Sequence, residues 1–143
     1  MIAQEQVVVT AADRERLRRM IESLRDSFPT AGDPLESFLR SLEDHLRNAS
    51  VVPENTVEDD VVTMNSRVGV RQPDTGAAQV FTLVYDGDAD PFGDKLSVVT
   101  PLGTAVLGSR VGDVIEWQAR RGSRGYRIEE ILFQPEAAGD YGL

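Results

Sequence analysis

Cysteine is absent from this 143-residue chain, which removes disulfides, zinc–thiolate sites and a thiol nucleophile from consideration. Histidine occurs once, at position 45. A single imidazole with no second His or Cys makes a poor metal site, and a Ser-His-Asp constellation cannot be read around it. Long apolar runs are also missing, the longest being far shorter than the ~20 residues that span a bilayer. At the N-terminus there is neither the basic nor the apolar region of a secretory signal. These absences lead us to expect a cytoplasmic protein without a membrane partner. Positive charge is scarce. Residues 1–60 carry 13 Asp/Glu against 7 Arg, a net −6, and residues 61–143 carry 11 Asp/Glu against 7 Arg and 1 Lys, a net −3. Neither half has the basic excess that binding a phosphate backbone requires, so no direct nucleic-acid contact is expected. An acidic protein can still act on a nucleic-acid machine by docking on its protein parts.

What is present is enough for one ordinary domain or two very small ones. Residues 12–48 read as a helical hairpin. Leu17, Met20, Ile21, Leu24 and Phe28 recur at three- and four-residue spacing in a first helix, with Thr10 as its N-cap. Pro29-Thr30-Ala31-Gly32 breaks the pattern. A second helix starts at Asp33-Pro34 with Leu35, Phe38, Leu39, Leu42 and Leu46 on one stripe, and Glu36–Arg40 and Glu43–Arg47 as i,i+4 pairs. Two such stripes joined by a short loop should pack antiparallel. Val7-Val8-Val9 reads as a short strand or an apolar anchor. Residues 53–60, PENTVEDD, have the composition of an acidic linker. From Val61 the period becomes that of strands, with candidates at Val61–Met64, Arg67–Arg71, Ala78–Tyr85, Lys95–Val99, Asp113–Gln118 and Tyr126–Phe133. Pro73-Asp74-Thr75-Gly76 and the Arg/Gly/Ser-rich stretch 120–125 are turn signals. Ala78–Tyr85 is apolar on both faces and should be central. The expected class is α+β: a helical hairpin over 1–52, the linker over 53–60, and a strongly bent antiparallel sheet around one short helix, Pro101–Leu107, over 61–143.

Several segments carry residue types that chemistry uses. Asp33-Pro34-Leu35-Glu36 puts two carboxylates at the hairpin tip, where oxygen ligands could hold Mg²⁺. Asp at N-cap, Pro at N1 and Glu at N3 also spell a helix start of capping-box type, and that reading is preferred. Asp86-Gly87-Asp88-Ala89-Asp90 begins like a calcium loop, but Pro91 and Ser97 stand where an EF-hand needs Gly and Glu, so a solvated inter-strand loop is expected. His45 is expected in partly exposed packing. Trp117 reads as a core or half-buried residue, with a pocket floor as the other reading. Arg120, Arg121, Arg124 and Arg127 cluster at the last hairpin as a solvated turn, or as a partner for Glu129, Glu130 or an acidic protein.

The stretch Val98–Asp113 holds no nucleophile, metal ligand or phosphate cradle. Thr100-Pro101 offers an N-cap and N1 to the short helix, and no Gly-Lys-Ser/Thr follows it. Pro101-Leu102-Gly103 is rigid and made of small residues. It suits either a protein contact that costs little entropy to dock or a structural turn closing the sheet.

The residues Val61–Val68, Thr82–Tyr85 and Leu96–Gly108 resemble the C-terminal domain of the Gre transcript-cleavage factors. The ending Gln134–Tyr141 resembles more specifically the Rnk family, the regulators of nucleoside diphosphate kinase, and Asp13-Arg14-Glu15-Arg16-Leu17 fits that family's start. The resemblance implies an FKBP-like C-terminal domain without isomerase activity, an N-terminal coiled-coil finger, and binding to bacterial RNA polymerase at the rim of its secondary channel. It places polymerase docking on Thr100, Pro101 and Leu102, and implies a non-enzymatic, monomeric regulator with no cofactor that competes with Gre-type factors and affects nucleoside diphosphate kinase levels. Gre fingers end in paired acids that coordinate Mg²⁺ at the polymerase active site. Here the finger is only ~20–25 Å long, so Asp33 and Glu36 should stop short, giving binding without stimulated cleavage. Two alternatives remain. One is a peptidyl-prolyl isomerase using aromatics among Phe81, Tyr85, Phe92, Trp117, Tyr126 and Phe133, although a fold does not carry a function with it. The other is a direct protein regulator of nucleoside diphosphate kinase.

Overall fold

The structure, a computed structural model, describes residues 7–27, 34–119 and 122–140. The chain opens with β1 (Val8–Thr10), which runs directly into α1 (Ala11–Ser27), and α2 (Pro34–Arg47) leads into β2 (Ser50–Val52). Of the two readings of Val7-Val8-Val9, the strand is the one adopted, and β1 and β2 pair in parallel with Val9 opposite Val51. Thr10 caps α1 as its sequence suggests: its Oγ1 accepts the Asp13 N–H at 3.0 Å. At 1.5 Å per residue the two helices are roughly 25 and 21 Å long. Arg25 near the end of α1 bonds Glu36 in the first turn of α2, which makes them antiparallel neighbours.

The rest of the chain forms β3 (Arg67–Arg71), β4 (Ala78–Val84), β5 (Lys95–Ser97), α3 (Pro101–Val106), β6 (Val114–Ala119) and β7 (Gly122–Phe133). The sheet order is β5-β4-β3-β7-β6. Its curl is helped by register shifts between β3 and β7 at Arg67/Val68 and Gly69/Val70, since a bulge bends a strand. The sheet is not antiparallel throughout, as the sequence led us to expect. β5 runs parallel to β4, because residues 85–94 do not fold back as a hairpin. Two 3₁₀ turns, Asp86–Asp88 and Pro91–Gly93, carry the chain across instead. The strand Ala78–Val84 is an interior one, paired on both sides, but β3 is the middle of the five.

Two other strand expectations need correction. Val61–Met64 makes only an isolated bridge, Val61 to Arg110. All four residues are buried, and their N–H groups are taken by irregular partners: Val62 bonds the Ser109 carbonyl, Thr63 the Ser66 Oγ and Met64 the Asp13 carboxylate. An apolar run buried on every side mimics a strand in sequence without needing a ladder. The last strand starts at Gly122 rather than Tyr126. Gly122 pairs with Ala119 and Gly125 with Glu116, so the Gly/Ser/Arg stretch is mostly ladder, and Arg120 and Arg121 lie outside the described residues.

One apolar cluster joins both halves of the chain. Leu17, Ile21, Leu39, Leu42 and Leu46 of the hairpin pack with Val62, Met64, Val68, Phe81, Leu83, Val106, Leu107 and Ile128. Phe38 departs from its expected stripe and is 39% exposed, while Phe28 lies outside the described residues. Of the two expected i,i+4 pairs, Glu36–Arg40 forms at 3.5 Å, but Arg47 turns to Asp44 and Glu43 turns to Arg25. The acidic stretch 53–60 is held at several points. Glu54 accepts the Ala12 N–H, the Glu58 carbonyl accepts from Gln134, and Arg110 bridges Glu58 and Asp60.

Candidate docking site

The element singled out by sequence, α3, is fixed from four sides. The Thr100 Oγ1 accepts the Gly103 N–H at 3.0 Å and donates to the Ser97 carbonyl at 2.8 Å, so one hydroxyl caps the helix and ties it to β5. Pro101 at N1 has the fixed φ that a helix start wants. Thr104 donates to the Val98 carbonyl at 2.8 Å. Gly103 lies so close to β5 that an added Cβ would sit 2.2 Å from the Ser97 carbonyl oxygen. After the helix, Gly108 takes φ +80 and packs on Val8, the left-handed residue that ends a helix and suits glycine. Its N–H bonds the Val62 carbonyl and its carbonyl accepts the Val8 N–H.

The hairpin reaches the same element through the one histidine. His45 Nε2–H donates to the Leu107 carbonyl at 2.7 Å. Burial holds the ring's pKa below the ordinary histidine value, against the opposing pull of that hydrogen bond, so the imidazole is neutral there at pH 7. What this packing leaves outward is the first turn of α3: Pro101 is exposed and Leu102 half-buried. Thr100, Pro101 and Leu102 are therefore brought together as a rigid, partly apolar corner with no reacting group in it.

A second junction was not anticipated. Asp13 is buried, and its Oδ2 accepts the Met64 N–H at 3.0 Å while Tyr85 Oη donates to Oδ1 at 3.5 Å. Desolvation raises its pKa to about 6 against the pull of the Met64 N–H, and nearby Glu136 raises it further. Glu136 accepts from Thr63 Oγ1 at 2.7 Å. The sequence signal for this junction was Asp three residues after the cap, but its partners lie 51 and 72 residues away.

At the hairpin tip, Glu36 receives both Nε and Nη2 of Arg25 at 3.0 Å, and Arg25 also holds Glu43 at 2.7 Å. Hydrogen bonding to Arg25 pulls the Glu36 and Glu43 pKa values down. The Glu36 carboxylate is thus already engaged; Asp33 lies outside the described residues. In the Asp86–Asp90 loop, Asp86 accepts from Ser97 Oγ and Asp90 accepts the Phe92 N–H. Among the described residues no group of three or more His, Asp or Glu is arranged to hold a metal ion, and no helix is long and apolar enough to cross a membrane. Glu129 pairs with Arg71, and Arg127 is exposed. The side chains of Trp117 and Arg124 are not among those described.

A curled mixed sheet clamped on one short capped helix, with a helical hairpin packed beside it, is the layout of a Gre-type factor. The family model "Transcription elongation factor, GreA/GreB, C-term" matches residues 57–133, and the chain belongs to that family. Within it, the chain is 38% identical over 138 residues, 96% of both proteins, to the regulator of nucleoside diphosphate kinase (Rnk) of Escherichia coli K12. Against the transcription elongation factor GreA of Thermotoga neapolitana it is 37% identical over 95 residues, 66% of this chain and 60% of that protein. Among solved structures, a GreA/GreB elongation factor from Nitrosomonas europaea superposes with a TM-score of 0.69 at 34% identity, over 91% of this chain and all of the other.

Proposed function

We propose that this protein is a non-enzymatic regulator that binds bacterial RNA polymerase at the rim of the secondary channel and competes there with Gre-type factors without stimulating transcript cleavage. In this reading, residues 61–143 form an FKBP-like docking domain without isomerase activity, and residues 1–52 form a finger too short for cleavage. The supporting observation is the pairing of a rigid outward corner, Thr100-Pro101-Leu102, with helices of only 17 and 14 residues. A Gre finger is roughly twice that length at 1.5 Å per residue, and its terminal acids must be free to hold Mg²⁺. Here Glu36 is bound by Arg25 instead. Any effect on nucleoside diphosphate kinase, the function in the name of the Escherichia coli relative, then follows through transcription.

The test is binding of the whole protein to core polymerase, displacement by a Gre factor, and RNA cleavage in a stalled complex. Binding with displacement and no added cleavage is the expected result. Pro101→Arg should weaken binding at least tenfold with the fold intact, because Pro101 is exposed. Absence of polymerase binding, or binding with stimulated cleavage, would overturn the reading.

A further inference from the structure

The outer face of the sheet carries a feature that docking through α3 does not use. Phe133 on β7 stands opposite Arg67 on β3, Arg67 opposite Thr82 on β4, and Thr82 opposite Lys95 on β5. Residues directly opposite on neighbouring strands share a face, so these four form one row across four strands. The row lines an open cleft of about 330 Å³ together with Asn65, Val84 and Asp88. That volume is at the lower end of small-molecule sites.

The charges in this row are unusual for a chain of net charge −9. Lys95 is its only lysine. Among the described residues, neither Lys95 nor Arg67 makes an ion pair with a carboxylate, whereas Arg18, Arg19, Arg25, Arg40, Arg47, Arg71 and Arg110 all do. With strands about 4.8 Å apart, the two cations rise from backbones about 10 Å apart. Between them Thr82 Oγ1 accepts from Arg67 Nη1 at 3.3 Å, and among the described residues its O–H has no acceptor.

We propose that this row is a binding site for a nucleoside phosphate: Arg67, Thr82 and Lys95 hold the phosphate, and Phe133 stacks on the base. A guanidinium and an ammonium flanking a hydroxyl donor match a compact multivalent oxyanion. A half-exposed phenyl ring beside them offers the flat apolar surface on which bases stack. Asp88 supplies an acceptor for a ribose hydroxyl or a base amine. An extended acidic peptide fits less well. Glu130 packs against Gly69, two residues along β3 from Arg67, and would repel a chain of carboxylates running along the strand.

The test is isothermal titration of the full chain with ADP, adenosine, pyrophosphate and a poly-glutamate peptide. ADP should bind at least tenfold more tightly than adenosine or pyrophosphate. Lys95→Gln, at an exposed position, should weaken ADP at least tenfold with an unchanged circular dichroism spectrum, and Arg67→Gln should do the same. Phe133→Leu should weaken ADP while leaving pyrophosphate unaffected. No ADP binding at millimolar concentration, undiminished ADP binding to Lys95→Gln, or peptide binding as tight as ADP would each overturn the proposal. Polymerase binding by Lys95→Gln should be unchanged, which separates this site from the α3 corner.

Discussion

Two single residues fix the position of α3 and of the hairpin, and neither advertises the fact. Gly103 sits mid-helix, where glycine usually only lowers stability. Its value lies in contact with β5: Gly103→Ala would place a Cβ 2.2 Å from the Ser97 carbonyl oxygen and 2.9 Å from the Val98 Cα. Backbone cannot give way cheaply, so the substitution should cost about 3 kcal/mol in denaturant unfolding. Asp13 is the other. Its folded pKa of about 6 lies above the ordinary 3.8, so the folded state binds the proton more tightly than the unfolded chain does. The stability this group contributes is full below pH 3.8 and is lost as pH rises through 6, a fall of about 3 kcal/mol at 1.36 kcal/mol per unit. Asp13→Asn keeps an acceptor for Met64 and should flatten that slope between pH 4 and 6. Asp13→Ala leaves the Met64 N–H buried without its partner and should cost about 1–3 kcal/mol at pH 7. Urea midpoints measured across pH check both. The cap role of Thr10 was legible because it is local; the Asp13 and Gly103 contacts were not, because each depends on a segment brought in by folding.

Among the elements, helices were more legible than short strands. Each helix of the hairpin presents enough apolar positions at 3.6-residue spacing to define a stripe, although Phe38 shows that a stripe's edge remains outside. β3 was legible because alternation persists through its five residues, and β4 because its seven are mostly apolar and β-branched on both faces. β5 has three residues, too few to reveal its direction, and its parallel pairing follows from the crossover before it. For α3 the start at Thr100-Pro101 was readable, and the Thr100 hydroxyl serves both helix and strand. Thr100→Ser preserves both bonds and should be close to neutral. Thr100→Val removes the cap acceptor and the donor to Ser97 together, and should cost about 1–2 kcal/mol in chemical denaturation. The candidate docking corner was therefore readable as a rigid turn, but its exposure was not. Exposure depends on how the Val61–Met64 segment, His45 and β1 close around the other sides of the helix.

At the scale of the molecule, the question is whether the hairpin and the sheet can unfold separately. Composition suggests two modules around an acidic joint. The packing argues for cooperation: Leu42 and Leu17 are fully buried in the same cluster as Met64, Phe81 and Leu107. Polar ties cross between them as well, among them Met64 and Tyr85 to Asp13, His45 to Leu107 and Val8 to Gly108. Removing the hairpin's contribution would leave Val62 and Met64 facing water and the Met64 N–H without its acceptor. Leu42→Ala should therefore lower stability by about 2–5 kcal/mol. Although the substitution lies in α2, it should shift the unfolding of β6 by the same amount. Helicity followed by circular dichroism reports the hairpin, and fluorescence of Trp117, the only tryptophan, reports β6. Coincident transitions in both proteins are expected for one cooperative unit. If Leu42→Ala separated the two, with helicity lost before fluorescence changed, the shared core would not couple them. The short finger would then be an independently folding arm rather than part of the body that presents α3.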